Sequence, residues 1–167
     1  MTSPLVDQLV FVHSELVRSL EGVSGEEAVQ RIGPMNSLSW IVGHLAEQEQ
    51  RCFLTSQGLE MVAPELIDLV GHGKPASTPP LDEMWAAWRN VTTATAPVLA
   101  AMTNDDLLAI PPMGGPRRDS NGTLLLRVIT HNWFHIGEGQ AIRQLLGHTD
   151  LPVFVGSIGE DAPFRVE

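Results

Sequence analysis

Two histidines four residues apart, His131 and His135, lie in the run TLLLRVITHNWFHIGEGQAIRQLLG towards the C-terminal end of the chain. On a helix, residues four apart stack on one face, so both imidazoles can reach a single metal ion, as in other helical His-x-x-x-His sites. The stripe that holds them reads Leu124, Val128, His131, His135, Glu138, Ile142 and Leu145, at alternating steps of four and three. A pattern that should bury aliphatic side chains thus places two imidazoles and a carboxylate in mid-helix. Two histidines leave a cation under-coordinated. His44, in the middle of WIVGHLAEQE, is the candidate third ligand. Three neutral imidazoles with open positions suit a catalytic metal rather than a structural one. The competing reading is three core histidines, each bonded to its own neighbour. An unsatisfied buried polar group costs on the order of 1–3 kcal/mol, and a metal would offset that.

Other residues carry two readings each. Glu138 is a second acceptor for an imidazole N–H or an acid/base group; otherwise it is a salt-bridge partner of Arg143. Glu47 and Gln48 stand one turn from His44, in solvated or inter-helix polar roles. Asn132 lies about 100° around the helix from His131, off the ligand face. His13 is a fourth ligand or a satisfied bundle histidine. Cys52 is eight residues beyond His44, roughly 12 Å along a helix, too far to join the same ion. Trp40, one turn before His44, would wall the site, whereas Trp85, Trp88 and Trp133 read as packing. His72 and His148 fall in or beside loops and look incidental. Arg117 and Arg118 could meet an anionic substrate, although exposed loop pairs usually do nothing.

Four long segments with helical period must position these residues. The first runs from about Pro4 to Glu21, with Val6, Val10, His13, Val17 and Leu20 as its stripe, widened by Leu5, Leu9, Val12 and Leu16. Ser24 and Glu27 form a capping box for a short helix ending at Gly33-Pro34. The second segment extends from near Ser37 to near Gly58. One or two helical turns follow between Pro64 and Val70, then the Gly- and Pro-rich loop 71–80. The third runs from about Leu81 to Met102 with a face of Met84, Trp85, Trp88, Val91, Thr95, Val98 and Leu99. Pro97 within it predicts a kink or an early stop. Thr103 and Asp106 look like a further N-cap. Residues 110–122 form a second long loop, a surface feature or lid. The fourth segment runs from about Thr123 to Leu146 and stops at Gly147. Residues 148–167 carry no helical period and read as a non-helical tail. No repeat and no strand alternation stands out. The expectation is one all-α domain over residues 1–167, a four-helix bundle with two long connections.

Composition narrows the partners. Ten Lys and Arg face twenty Asp and Glu among 167 residues, a formal net charge of −10. A chain this acidic is a poor binder of phosphate backbones or anionic lipid, so neither nucleic acid nor membrane is expected as a partner. Charged residues make up 18% and hydrophobic ones 43%, which supplies a core and excludes a disordered chain. The lone Cys52 excludes an internal disulfide framework and any Cys-rich zinc module. The N-terminal run lacks a basic region and is punctuated by Asp7, His13 and Glu15, unlike a signal peptide. No apolar stretch approaches ~18 residues. The default expectation is a cytoplasmic protein.

GHLAEQE around His44 and HNWFHIGEGQAIRQLLG around His131 and His135 resemble the DinB-like (DinB/YfiT) superfamily of metalloenzymes, and more closely its DinB-related members common in actinobacteria. The family pattern has one His on the second helix in a Gly-His-Leu-Ala-like run. It has a His-x-x-x-His on the last helix, followed by Gly-Glu and an Arg-Gln-Leu-Leu-Gly-like ending. These fall on His44, on His131 and His135, on Gly137-Glu138 and on residues 143–147. The order of helices agrees over nearly the whole chain, while the specific motifs cover about 35 residues. The resemblance implies a four-helix bundle with a long crossover, a homodimer, and zinc, nickel or iron on the three histidines. Relatives of this kind include mycothiol-dependent maleylpyruvate isomerase and bacillithiol S-transferases. It therefore implies a metal-dependent transferase or isomerase that joins a small-molecule thiol, mycothiol-like, to an electrophilic substrate. A metal with open positions can deprotonate a thiol at neutral pH. Two alternatives stay open from the residues: a metal-assisted hydrolase, and a non-catalytic metal- or ligand-binding stress-response protein.

Overall fold

The computed structural model describes residues 3–114 and 118–165. Its elements, in chain order, are α1 (Pro4–Ser19), α2 (Gly25–Ala28), α3 (Leu38–Phe53), α4 (Leu66–Val70), α5 (Leu81–Ala100), α6 (Asn104–Leu108), α7 (Asn121–Leu145) and α8 (Ile158–Asp161), with a 3₁₀ turn at Thr55–Gln57. All regular structure among the described residues is helical. The long helices α1, α3, α5 and α7 form the bundle: α3 lies against α5, α1 against α7, and α3 also touches α7.

Local chemistry sets the helix starts. Ser3, Ser37 and Ser120 each accept a backbone N–H from the first turn of α1, α3 and α7, which satisfies a donor the helix cannot. Ser24 with Glu27 and Thr103 with Asp106 close the two expected capping boxes. The first box holds more than its own turn. His148 accepts from Arg143 Nε through Nδ1 and donates from Nε2 to Glu27, tying the end of α7 to α2. These bonds, those from Ser24 first, hold the half-buried Glu27 carboxyl down at about 2.

Burial corrects part of the face expected for α1: Val6 and Leu20 of the expected stripe are buried, but Val10 and Val17 are not. Val10 is 62% exposed and Val17 43% exposed, whereas Leu9, Val12 and Leu16 are wholly buried. Both stripes repeat at steps of three and four, so periodicity fits either; packing against α7 picks the second. On α7, Leu145 is likewise exposed, one step past the last turn that the bundle covers. Helix α5 runs through Pro97 to Ala100 rather than stopping there. The carbonyl of Thr93, deprived of its donor, belongs to an exposed residue and can be hydrated. The short second helix ends at Ala28, ahead of Gly33-Pro34.

Helix α3 is the central element. Every residue from Leu38 to Gln50 is buried, including His44, Glu47, Gln48, Glu49 and Gln50. Burying so many polar groups requires partners. Gln50 donates to the Ala63 carbonyl and accepts from the Ala63 N–H. Glu49 accepts from Thr95 Oγ1 at 2.7 Å and pairs with His13 Nε2 at 2.8 Å. The tail is not wholly irregular. Gln8 donates to the Ala162 carbonyl, Arg18 donates to the Val153 carbonyl, and Arg165 pairs with Asp7. These contacts seat the single helical turn α8 where the sequence pattern expects none, because its order comes from α1 and not from its own period.

Candidate metal centre

His44 on α3 and His131 and His135 on α7 converge. One ring nitrogen from each lies within 4.8 Å of the others. The ring centroids are 5.1 Å apart for His44 and His131, 5.3 Å for His44 and His135, and 4.5 Å for His131 and His135. His44 and His135 are buried and His131 is half-buried.

The outward nitrogen of each ring is held. His44 Nδ1 lies 2.9 Å from the Val70 carbonyl at the end of α4. His135 Nδ1 lies 2.7 Å from Glu138 Oε2, and Asn36 Nδ2 donates to the other oxygen of Glu138 at 3.3 Å. His131 Nδ1 meets Gln48 Oε1 from α3. A carbonyl and a carboxylate can only accept, so the proton of His44 and of His135 sits on Nδ1. With the same arrangement at Gln48, all three Nε2 atoms present lone pairs. The Nε2 atoms of His131 and His135 are only 3.0 Å apart. Two lone pairs at that distance repel, and a cation shared between them removes the conflict. Reversing the Gln48 amide would place a proton on His131 Nε2 and satisfy that pair alone, but it would leave His44 Nε2 without a protein donor. The donor set fits a borderline metal that accepts imidazole.

Electrostatics favour the ligating form. Burial, foremost, pushes the His44 imidazole down to about 4 and His131 down to about 3, and the neighbouring rings add to this. Both are therefore neutral near pH 7, as a ligand must be. The bond from His135, foremost, holds the Glu138 carboxyl below its ordinary value. Trp40 stacks on His44 at 4.4 Å and meets His135 edge-on at 6.2 Å, so it walls the rings as expected.

The other sequence candidates fall elsewhere. His13 is committed to Glu49 and packs on Trp88, and it does not join the three rings. Asn132 donates to the Val128 carbonyl. Arg143 donates to the Ser19 carbonyl and to His148, not to Glu138. Cys52 is outside the three-imidazole group, and burial pushes its thiol up to about 11. Arg118 is exposed, and Arg117 lies outside the described residues.

A cavity of about 730 Å³ opens beside the rings. His44 and His131 line it together with Gln48, Arg51, Cys52, His72, Met113, Leu124 and Arg127. That volume is in the range of small-molecule sites. Met113 comes from the loop read as a surface feature or lid, and the Ser56 carbonyl holds its backbone N–H. Four participants escaped the sequence reading. His72 looked incidental because its loop has no period. The Val70 carbonyl carries no side-chain signal at all. Arg51 and Arg127 could have been found, since they stand seven residues after His44 and four before His131, both helical same-face spacings.

No curated protein matches the chain. Among known families, the DinB superfamily matches residues 8–138, a stretch that contains His44, His131, His135 and Glu138, and on this match the chain belongs to the DinB superfamily.

Proposed function

We propose that this protein is a metal-dependent enzyme, a transferase or isomerase that activates a low-molecular-weight thiol at His44, His131 and His135 and delivers it to an electrophilic substrate. The observation that carries the metal is the convergence of three imidazoles whose Nδ1 atoms are each tied down and of which His131 and His135 bring their Nε2 atoms to 3.0 Å. The thiol rests on the resemblance to thiol-dependent enzymes and on the cavity, which has room for a thiol and a second reactant together.

A divalent cation held there, zinc, nickel or iron, supplies a Lewis acid that lowers the pKa of a thiol or water brought to it. The chain's own residues do the rest. Val70 and Glu138 fix which nitrogen His44 and His135 present, and Gln48 engages Nδ1 of His131. Trp40 closes the inner side of the rings. Glu138 lies off the cavity lining, so its part is to orient His135 and raise its basicity, as carboxylates do behind ligating histidines.

The test has two stages. Purified wild-type protein is expected to carry close to one equivalent of a transition metal by elemental analysis, and His44→Ala to lose it while remaining helical by circular dichroism. The metal-loaded protein is then assayed with an electrophile and a panel of thiols. Thiol-dependent turnover supports the reading. Hydrolysis without thiol would replace it with the hydrolase, and a site filled by protein ligands with no exchangeable position would make it a binding protein.

A further inference from the structure

The cavity beside the three histidines also has a far end, and it is built from arginine. Arg51 follows His44 by seven residues on α3, and Arg127 precedes His131 by four on α7; both line the cavity. The two helices meet with these ends together, since Gln57, just past α3, donates to Asn121 at the start of α7 at 2.7 Å. One helical turn rises about 5.4 Å. The backbone positions of the two arginines therefore stand one to two turns, about 6–10 Å along the helices, from those of the histidines.

Each guanidinium is anchored by one carboxylate and keeps other donors spare. Arg127 Nη2 pairs with Asp119 at 2.6 Å. Arg51 Nε sits 3.1 Å from Glu47. Among the described residues, no protein acceptor takes the Nη1 or Nη2 donors of Arg51, and both arginine side chains are about 40% exposed to the cavity and solvent. A fork of parallel N–H donors matches a carboxylate or phosphate. Charge points the same way. Glu47 and Asp119 balance the two guanidiniums, so a divalent ion on the histidines leaves the cavity net positive inside a chain of net charge −10. An anionic ligand completes that balance, and a positive cleft concentrates anions.

We infer that the small molecule taken by this cavity is an anion about 6–10 Å long, which places its reactive end at the three histidines and an oxyanion group, carboxylate or phosphate ester, on Arg51 and Arg127. This rests on the metal reading above and adds the substrate class to it.

The experiment uses cobalt-loaded protein and isothermal calorimetry with two thiols of matched length, 6-mercaptohexanoate and 6-mercaptohexan-1-ol. The acid is expected to bind roughly tenfold more tightly, a gain that charge-assisted hydrogen bonds supply, and the gain should shrink as salt rises. Arg51→Gln and Arg127→Gln are each expected to remove most of this preference while the alcohol binds as before. If Arg51→Gln does not fold because Glu47 is left unpaired, Arg127→Gln alone serves. Competition by hexanoate or by hexyl phosphate identifies the oxyanion, and displacement by neither overturns the assignment of the arginines. Failure of the protein to take up cobalt overturns the metal reading. Cobalt bound with equal affinity for the two thiols, or with none for either, overturns the anion inference alone.

Discussion

A histidine ligates through one ring nitrogen, and what the other nitrogen holds decides which. At His135 the partner is a carboxylate one turn away, Glu138 Oε2 at 2.7 Å. That carboxylate does two things: it fixes the ring's rotation and tautomer, and its charge makes Nε2 a better donor to a cation. Glu138→Gln keeps an acceptor of the same shape and removes the charge. It is expected to weaken metal binding by roughly ten- to a hundredfold with little loss of helix content, as read by competition against a chromogenic chelator. Retention of affinity within about twofold would show that Glu138 only pairs with His135. Gln48 can be read by the same logic, but its amide bonds either way, so a substitution there reports less.

The site depends on an element that contributes no ligand. Helix α4 is five residues long, and its last carbonyl, Val70, orients His44. The next residue, Gly71, ends it. A Cβ at Gly71 would fall 2.2 Å from the Ile67 carbonyl oxygen, a contact that forces the end of α4 to move. Gly71→Ala is expected to shift the Val70 carbonyl, lower the melting temperature and cost metal affinity about tenfold, a typical price for disturbing such an outer partner. Gly137→Ala is the matched control. It lies in the exposed middle of α7 with nothing within 4 Å of the added carbon, and alanine favours a helix over glycine by about 0.5–1 kcal/mol. Differential scanning calorimetry and metal titration of the two variants check the pair.

At this scale it is also plain what a sequence can convey. The three converging histidines were legible because His131 and His135 break an aliphatic stripe at helical spacing, and His44 breaks another. The helices were legible from the same period and from their capping residues. The face of α1 was ambiguous because two stripes with identical spacing lie side by side. The Val70 carbonyl stayed hidden because a backbone carbonyl has no sequence signature; Gln48 was legible as an inter-helix polar residue, but its partner 83 residues away is set by how α3 meets α7.

Across the whole molecule, α1 pairs with α7 and α3 with α5, and the three histidines lie on the narrower seam between α3 and α7. Much of that seam is polar. His131 meets Gln48 there, and near its ends Asn36 meets Glu138 and Gln57 meets Asn121. The seam therefore gains less from apolar burial than an aliphatic one would. A cation bound by one histidine of α3 and two of α7 would cross-link the two halves, and any ligand that binds only the folded form stabilises it by mass action. At a free metal concentration a thousand times the dissociation constant that amounts to about 4 kcal/mol. For a chain of this size the melting temperature should then fall by about 8–16 °C on stripping the metal. Thermal denaturation in excess chelator and after readdition of one equivalent of metal measures this directly. His44→Ala should melt at one temperature in both conditions, since it lacks the α3 half of the link. A wild-type protein indifferent to chelator would mean that the polar seam is held by its hydrogen bonds alone, and the three rings would then be the satisfied core histidines of the competing reading.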